Sequence, residues 1–298
     1  MKRLISSFAS DFANMNQEDL LQSIKASEGR TLIAEVMCHA EPLYPGITNA
    51  EYAAAFGADM ILLNILDVEQ PKIAGLDDVK PEDTVHVLKK LLGRPVGVNL
   101  EPVDPNADNL ETLDDLPAGR RATLKSLQKA KELGVDFVCL TGNPKTGVTN
   151  QAILASIQLA KEAGLLTVAG KMHGAGVDEA LADTDTVRDF VRAGADIVLI
   201  PGVGTVPGST LEKTARLIEE VQREGALTLT SIGTSQEGAD QATIQQIALY
   251  NKMAGADIHH IGDAGMYGIA IPERIMDYSI AIRGKRHTYF RMASSILR

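Results

Sequence analysis

Leu227-Thr-Leu-Thr-Ser-Ile232 runs directly into Gly233-Thr-Ser-Gln-Glu-Gly238, and one helix later Asp257-Ile-His-His-Ile261 runs into Gly262-Asp-Ala-Gly-Met-Tyr-Gly268. Each pair is a short apolar strand ending in a loop of small residues. Such a loop presents backbone N–H groups near the partially positive start of the next helix, a favourable place for a phosphate.

Working outward, the same punctuation recurs. Amphipathic helical stretches end at Gly57, Gly93, Gly134, Gly164, Gly194, Gly225 and Gly255, each followed within a few residues by an apolar run. Glycine just past a helix, then a strand, marks an αβ loop. The intervals of 36, 41, 30, 30, 31 and 30 residues suit one βα unit each. Alternate helices end in Gly-Ala-Asp or Gly-Val-Asp (57–59, 134–136, 194–196, 255–257), which suggests a weak two-unit repeat.

The predicted strands are Leu32–Cys38, Met60–Leu66, Val96–Leu100, Phe137–Leu140, Leu166–Gly170, Ile197–Ile200, Leu227–Ile232 and Ile258–Ile261. Most are near-continuous Val/Ile/Leu runs, as parallel strands covered by helices should be. Eight units in series read as an α/β protein, a single (β/α)8 TIM barrel over 31–283. An open doubly wound sheet fits less well, because no Gly-x-Gly-x-x-Gly turn follows the first strand. Residues 1–30 form an N-terminal capping segment, with Asn16 as the N-cap of a helix, and 284–298 form a basic C-terminal extension. That extension could dock onto its own acidic barrel or onto a second subunit, so a homo-oligomer is compatible with the sequence.

Of 298 residues 45% are hydrophobic, ample for one large core, and 29 Lys+Arg against 39 Asp+Glu give a net charge of −10. Such a surface repels nucleic acid and anionic membranes. Cys38 and Cys139 sit in apolar runs outside any Cys-x-x-Cys spacing, which indicates buried thiols in a reducing compartment. The N-terminus lacks an apolar secretory core. Together these point to a cytoplasmic protein with a small-molecule substrate.

In a barrel of this kind catalytic residues come from the C-terminal ends of strands, and a phosphate site commonly follows strands seven and eight. The expected cradle is therefore Gly233, Thr234 and Ser235 with Gly262, Asp263 and Gly265, and with Gly202 and Gly204 nearby. Alternation along the strands nominates Glu35 and His39 on the first, Asn64 on the second, Asn99 and Glu101 on the third, Thr141 and Asn143 on the fourth, and Lys171 and His173 on the fifth. Lys171 is expected to share the mouth with His173. There it could act as a Schiff-base nucleophile or as an electrostatic clamp, while Glu35, Glu101 or His173 move protons. A structural ion pair is the bland alternative. Glu35, Glu101 and Asp67 could also hold a hard divalent cation with help from Asn64 and Asn99, although no cofactor is required by the spacing. Two long loops, Asp67–Asp83 and Pro102–Pro117, are candidate lids.

The order of motifs resembles the BtpA/SgcQ family of barrel proteins. The similar points are Cys38-His-Ala-Glu-Pro-Leu-Tyr-Pro-Gly46, Gly97-Val-Asn-Leu100, Thr141-Gly with Thr149-Asn-Gln-Ala-Ile153, Lys171-Met-His-Gly174, the loop Gly202–Gly208, and Ser231-Ile-Gly-Thr234. The chain departs from that pattern where Met172 splits the Lys-His pair and where Asn64-Ile-Leu-Asp67 replaces a Glu-Asn-containing strand end. The resemblance implies the barrel and, because that family has been linked to photosystem assembly, a non-catalytic binding or assembly role as the alternative. The residues themselves point to a lyase or isomerase of the aldolase or epimerase type, acting on a small phosphorylated carbohydrate or related metabolite.

Overall fold

In the computed structural model, which describes residues 2–108 and 110–298, eight parallel strands close into a barrel in sequence order. They are β1 (Thr31–Met37), β2 (Met60–Asn64), β3 (Val96–Leu100), β4 (Phe137–Leu140), β5 (Leu166–Gly170), β6 (Ile197–Pro201), β7 (Leu227–Ile232) and β8 (Ile258–Ile261). Helices α1 (Ala9–Ala13) and α2 (Gln17–Lys25) precede the barrel. Around it run α3 (Asn49–Ala55), α4 (Thr84–Leu92), α5 (Leu124–Glu132), α6 (Asn150–Ala163), α7 (Thr184–Ala193), α8 (Leu211–Arg223), α9 (Gln241–Met253) and α10 (Pro272–Ala293). All seven glycines expected to end the αβ loops have positive φ, from 56° at Gly93 to 111° at Gly194. β2 stops two residues early, because Ile65 takes a φ of 60° that a β-branched residue rarely adopts.

The strands are buried on both faces. Ile33, Leu62, Phe137, Cys139, Val168, Leu199, Leu229 and Ile258 fill the barrel, whereas Leu32, Ala34, Ile61, Val98, Val138, Ala169 and Val198 pack outward against the helices. Gly97 leaves room for the ring of Phe137, with which any Cβ at that position would overlap. At the N-terminal end α2 starts at Asn16, whose side-chain oxygen accepts from Asp19 N at 2.9 Å. Leu20 and Ile24 of that helix, with Leu4 and Phe12, join the interior cluster and close the barrel floor.

The alternating Gly-x-Asp motif has a mechanical role. Asp59, Asp136, Asp196 and Asp257 each precede an even strand, and each carboxylate accepts an N–H near the start of the preceding odd one: Leu32, Val96, Thr167 and Thr228, at 2.8–2.9 Å. The repeat is thus a clamp on every second strand pair at the barrel floor. Asp59 is distinct in being fully buried between Arg283 and Arg291. Burial alone would raise its carboxyl, but the two guanidinium groups outweigh that and hold it below the ordinary range. Through these arginines the basic C-terminal segment docks onto its own barrel. It does so as part of α10, which continues past a kink at Gly284 (φ 72°) rather than ending before it.

Among the described residues, neither long loop lines the barrel mouth. The Pro102–Pro117 loop is hydrogen-bonded to the neighbouring β4 and β5 loops, through Asp104 N to Gly147 O, Leu110 N to Gly176 O and Asp114 N to Lys145 O. No helix among the described residues is long and apolar enough to cross a membrane.

Candidate active site at the C-terminal mouth

A cavity of about 210 Å³ opens among the C-terminal strand ends. Its wall includes Glu35 and Met37 of β1, Asn64 of β2, Asn99 of β3, Thr141 to Pro144 after β4, and Met172 and His173 after β5. Gly233, Thr234, Ser235 and Glu237 after β7 and Gly262 to Ala264 after β8 complete it. Larger hollows, of about 490 and 570 Å³, lie among the helix ends at the opposite face, where catalytic residues of such barrels are not found.

One half of the wall is a closed amide network centred on Asn64. Its Nδ2 donates to Asp263 Oδ2 at 2.8 Å and to Asn143 Oδ1 at 2.9 Å, and its Oδ1 accepts from Asn99, Asn143 and the backbone N of Ile65. The left-handed turn at Ile65 delivers that last bond. Backbone strain of this kind collects at functional sites. Glu101, one residue past β3, does not reach the cavity. Arg120 pairs with it, and it accepts from Asn143 Nδ2 at 3.1 Å, so it positions the network from behind.

The other half is acidic. Glu35, Glu237 and Asp263 face one another without a lysine or arginine in the wall. Burial pushes the Glu35 carboxyl up to about 8, with the charges of Glu237 and Glu101 adding to it. Burial and the charge of Glu35 carry Asp263 up to about 7, against the bond from Asn64. Glu237 is likewise raised by burial. Beneath them His260, fully buried, is pushed down to about 4. Its Nε2 lies 3.3 Å from Glu35 Oε2 but out of line for a hydrogen bond, so both ring nitrogens lack an aligned partner. Asn99 Oδ1, Thr141 Oγ1, Ser231 Oγ and Glu237 Oε2 are also buried without a partner among the described residues. His173 Nδ1 accepts from Ala175 N at 3.1 Å, which leaves the proton of a neutral ring on Nε2. Burial, with Lys171 adding, lowers its pKa.

The geometry corrects several expectations. Lys171 does not join His173 in the cavity. The inward residues around β5 are Leu166, Val168 and Met172, so Lys171 points into the helix layer. There its fully buried Nζ pairs with Glu179 at 2.7 Å, and Glu179 in turn accepts from the first N–H of α6. His39 is exposed and stacks edge-on near Tyr267. Gly202 and Gly204 commit their N–H groups to Ser231 and Ser209, outside the cavity. The expected phosphate cradle is half occupied by the protein itself, since Glu237 Oε1 accepts from Ala264 N at 2.9 Å and would lie within 2.6 Å of any Cβ at Gly262. Gly265 packs its backbone against that of Glu237 rather than lining the cavity. Asp67 caps its own turn by accepting from Glu69 N, and among the described residues no three His, Cys, Asp or Glu side chains are placed to hold a metal ion.

Sequence reasoning missed Glu237 and Met172. Glu237 sits in the small-residue loop Gly233–Gly238, but a lone glutamate in a polar turn carries no mark that separates a buried acid from a solvated one.

The family described as a domain of unknown function, DUF7916, matches residues 5–298. The chain belongs to the DUF7916 family. No curated protein matches this DUF7916 chain. Among solved structures it is similar to thiamine phosphate pyrophosphorylase from Pyrococcus furiosus, with 13% identity, 86% of this chain and 97% of that chain covered, and a TM-score of 0.49. It is also similar to a candidate lyase/mutase from Burkholderia cenocepacia, with 16% identity, coverage of 84% and 82%, and a TM-score of 0.48. Likeness of that degree carries no argument about chemistry, which for this DUF7916 member has to come from its own mouth.

Proposed function

We propose that the protein is a lyase or isomerase that moves a proton on a small polar metabolite bound in the mouth cavity. The observation that carries this reading is the convergence of Glu35, Glu237 and Asp263 in one site, with the proton affinity of each raised by burial, those of Glu35 and Asp263 to near neutrality. A carboxyl that stays protonated near pH 7 can donate a proton, and an ionised neighbour can accept one. Glu35 is the acid and Asp263, oriented by Asn64, the base; their titrations belong to the coupled set rather than to either residue alone. His173 offers its Nε2–H to a substrate oxygen, and the unpartnered Thr141 hydroxyl can share that load.

Lys171 has no part in this scheme. Nor does a phosphate on the β8 loop, where Glu237 already takes the Ala264 N–H. A binding or assembly role without catalysis would leave the polar groups of the mouth paired with one another. The Asn64 network, which takes in Asp263, is paired in that way except at Asn99 Oδ1; Glu237 Oε2, Thr141 Oγ1 and both ring nitrogens of His260 are not.

The test is deuterium exchange. Incubation with pools of small metabolites in D2O should place deuterium on carbon of one of them, read by mass spectrometry, and Glu35→Gln and Asp263→Asn should each abolish the incorporation while the protein stays folded. Incorporation that persists in both variants would remove these carboxyls from the chemistry.

A further inference from the structure

We propose that the ligand of this cavity carries a protonated aliphatic amine, seated on Glu237 and Asp263. This rests on the reading of the mouth as the active site and adds the charge class of what it binds. Two independent observations point the same way. The wall brings three acids together and contains no lysine or arginine, so it offers an anion only neutral donors and no opposite charge, and the Ala264 N–H of the β8 loop is already taken by Glu237. Separately, the buried acceptors Asn99 Oδ1 and Glu237 Oε2 have no donor among the described residues. A buried acceptor left unmade is costly, and the partner it lacks is a donor.

An ammonium group supplies three donors and a positive charge at one point. A divalent metal would supply charge but needs oxygens drawn to about 2.0–2.6 Å around it, and no such set of side chains is in place. The remainder of the ligand would lie against Met37, Met172 and Pro144, which are apolar. The volume of about 210 Å³ restricts it to a small molecule.

Binding has a proton signature. Burial and the charge of Glu35 leave Asp263 partly protonated near neutrality, and a cation placed on it would favour its ionised form, so uptake of an ammonium ligand at pH 7 should release protons into the buffer.

The probes are 1-amino-2-propanol, its near-isosteric neutral partner propane-1,2-diol, lactate, and glycerol 3-phosphate. Titration calorimetry at pH 7 and pH 8, in two buffers of different ionisation enthalpy, gives both affinity and protons exchanged. The amine should bind at least about tenfold more tightly than the diol, with proton release at pH 7. Glu237→Gln should erase that preference, and Asp263→Asn provides a second variant should the first fail to fold. Tighter binding of the diol, lactate or glycerol 3-phosphate, weakened by Glu35→Gln, would overturn the amine while keeping the cavity as the site. Binding of every probe unaffected by all three substitutions, or no binding at all, would overturn the amine; the former would overturn the site as well.

Discussion

Replacing Glu35 by Gln should make the protein more stable in mild alkali. A buried carboxyl raised from its ordinary 4.5 to about 8 is favourable to folding only while protonated. Its contribution is fully present below about 4.5, declines as pH rises, and is lost through pH 8, where the folded state must ionise a group that burial disfavours. The distance between those two values, at about 1.4 kcal/mol per pH unit, sets an upper limit of about 5 kcal/mol on the difference between pH 4.5 and pH 9. Glutamine keeps the shape and cannot ionise, so this part of the pH dependence should vanish. Urea denaturation of both proteins from pH 5 to pH 9 measures it: the wild type should lose stability relative to Glu35→Gln by several kcal/mol, most steeply around pH 6, levelling off above pH 8. Curves that stay parallel over the whole range would show that Glu35 is already ionised at neutral pH, and the acid role assigned to it would fall with that result.

Three further outcomes are expected. Lys171→Met should cost about 1–3 kcal/mol of stability, because Glu179 loses its partner but keeps the Asn150 N–H and some solvent; borohydride treatment during turnover should leave position 171 unlabelled, and an adduct on Lys171 in the wild type would contradict its outward placement. Asp59→Asn should cost about 3–5 kcal/mol, since it strands two buried arginines, whereas the same change at the partly exposed Asp196 should cost much less; equal losses in denaturation midpoint would count against the burial argument. Gly262→Val should destabilise by about 1–3 kcal/mol and displace Glu237, seen as loss of ligand binding in the calorimetry above; unchanged binding would place the ligand elsewhere.

The barrel was legible from local chemistry. Glycine is needed wherever an αβ loop turns left-handed, and the spacing of Gly57 to Gly255 counts the units before any contact is known. Strand bounds followed too, failing by two residues at β2 where Ile65 enters a conformation its side chain disfavours. The acids and amides at the strand ends were visible for the same reason: polar residues at the end of an apolar run stand out, and Glu35, Asn64, Asn99, Thr141, Asn143 and Asp263 all meet in the cavity. What the chain could not reveal is which way each side chain faces. A parallel strand buried on both sides is apolar at every position, so nothing in Leu166–Gly170 tells inside from outside, and Lys171 was placed on the wrong face while Met172 was overlooked. Glu237 reaches the Ala264 N–H, 27 residues away in the chain, only because the β7 and β8 loops lie side by side in the closed barrel. Small-residue loops promise an anion site; tertiary structure decided that the Ala264 N–H of the β8 loop goes to the protein's own Glu237.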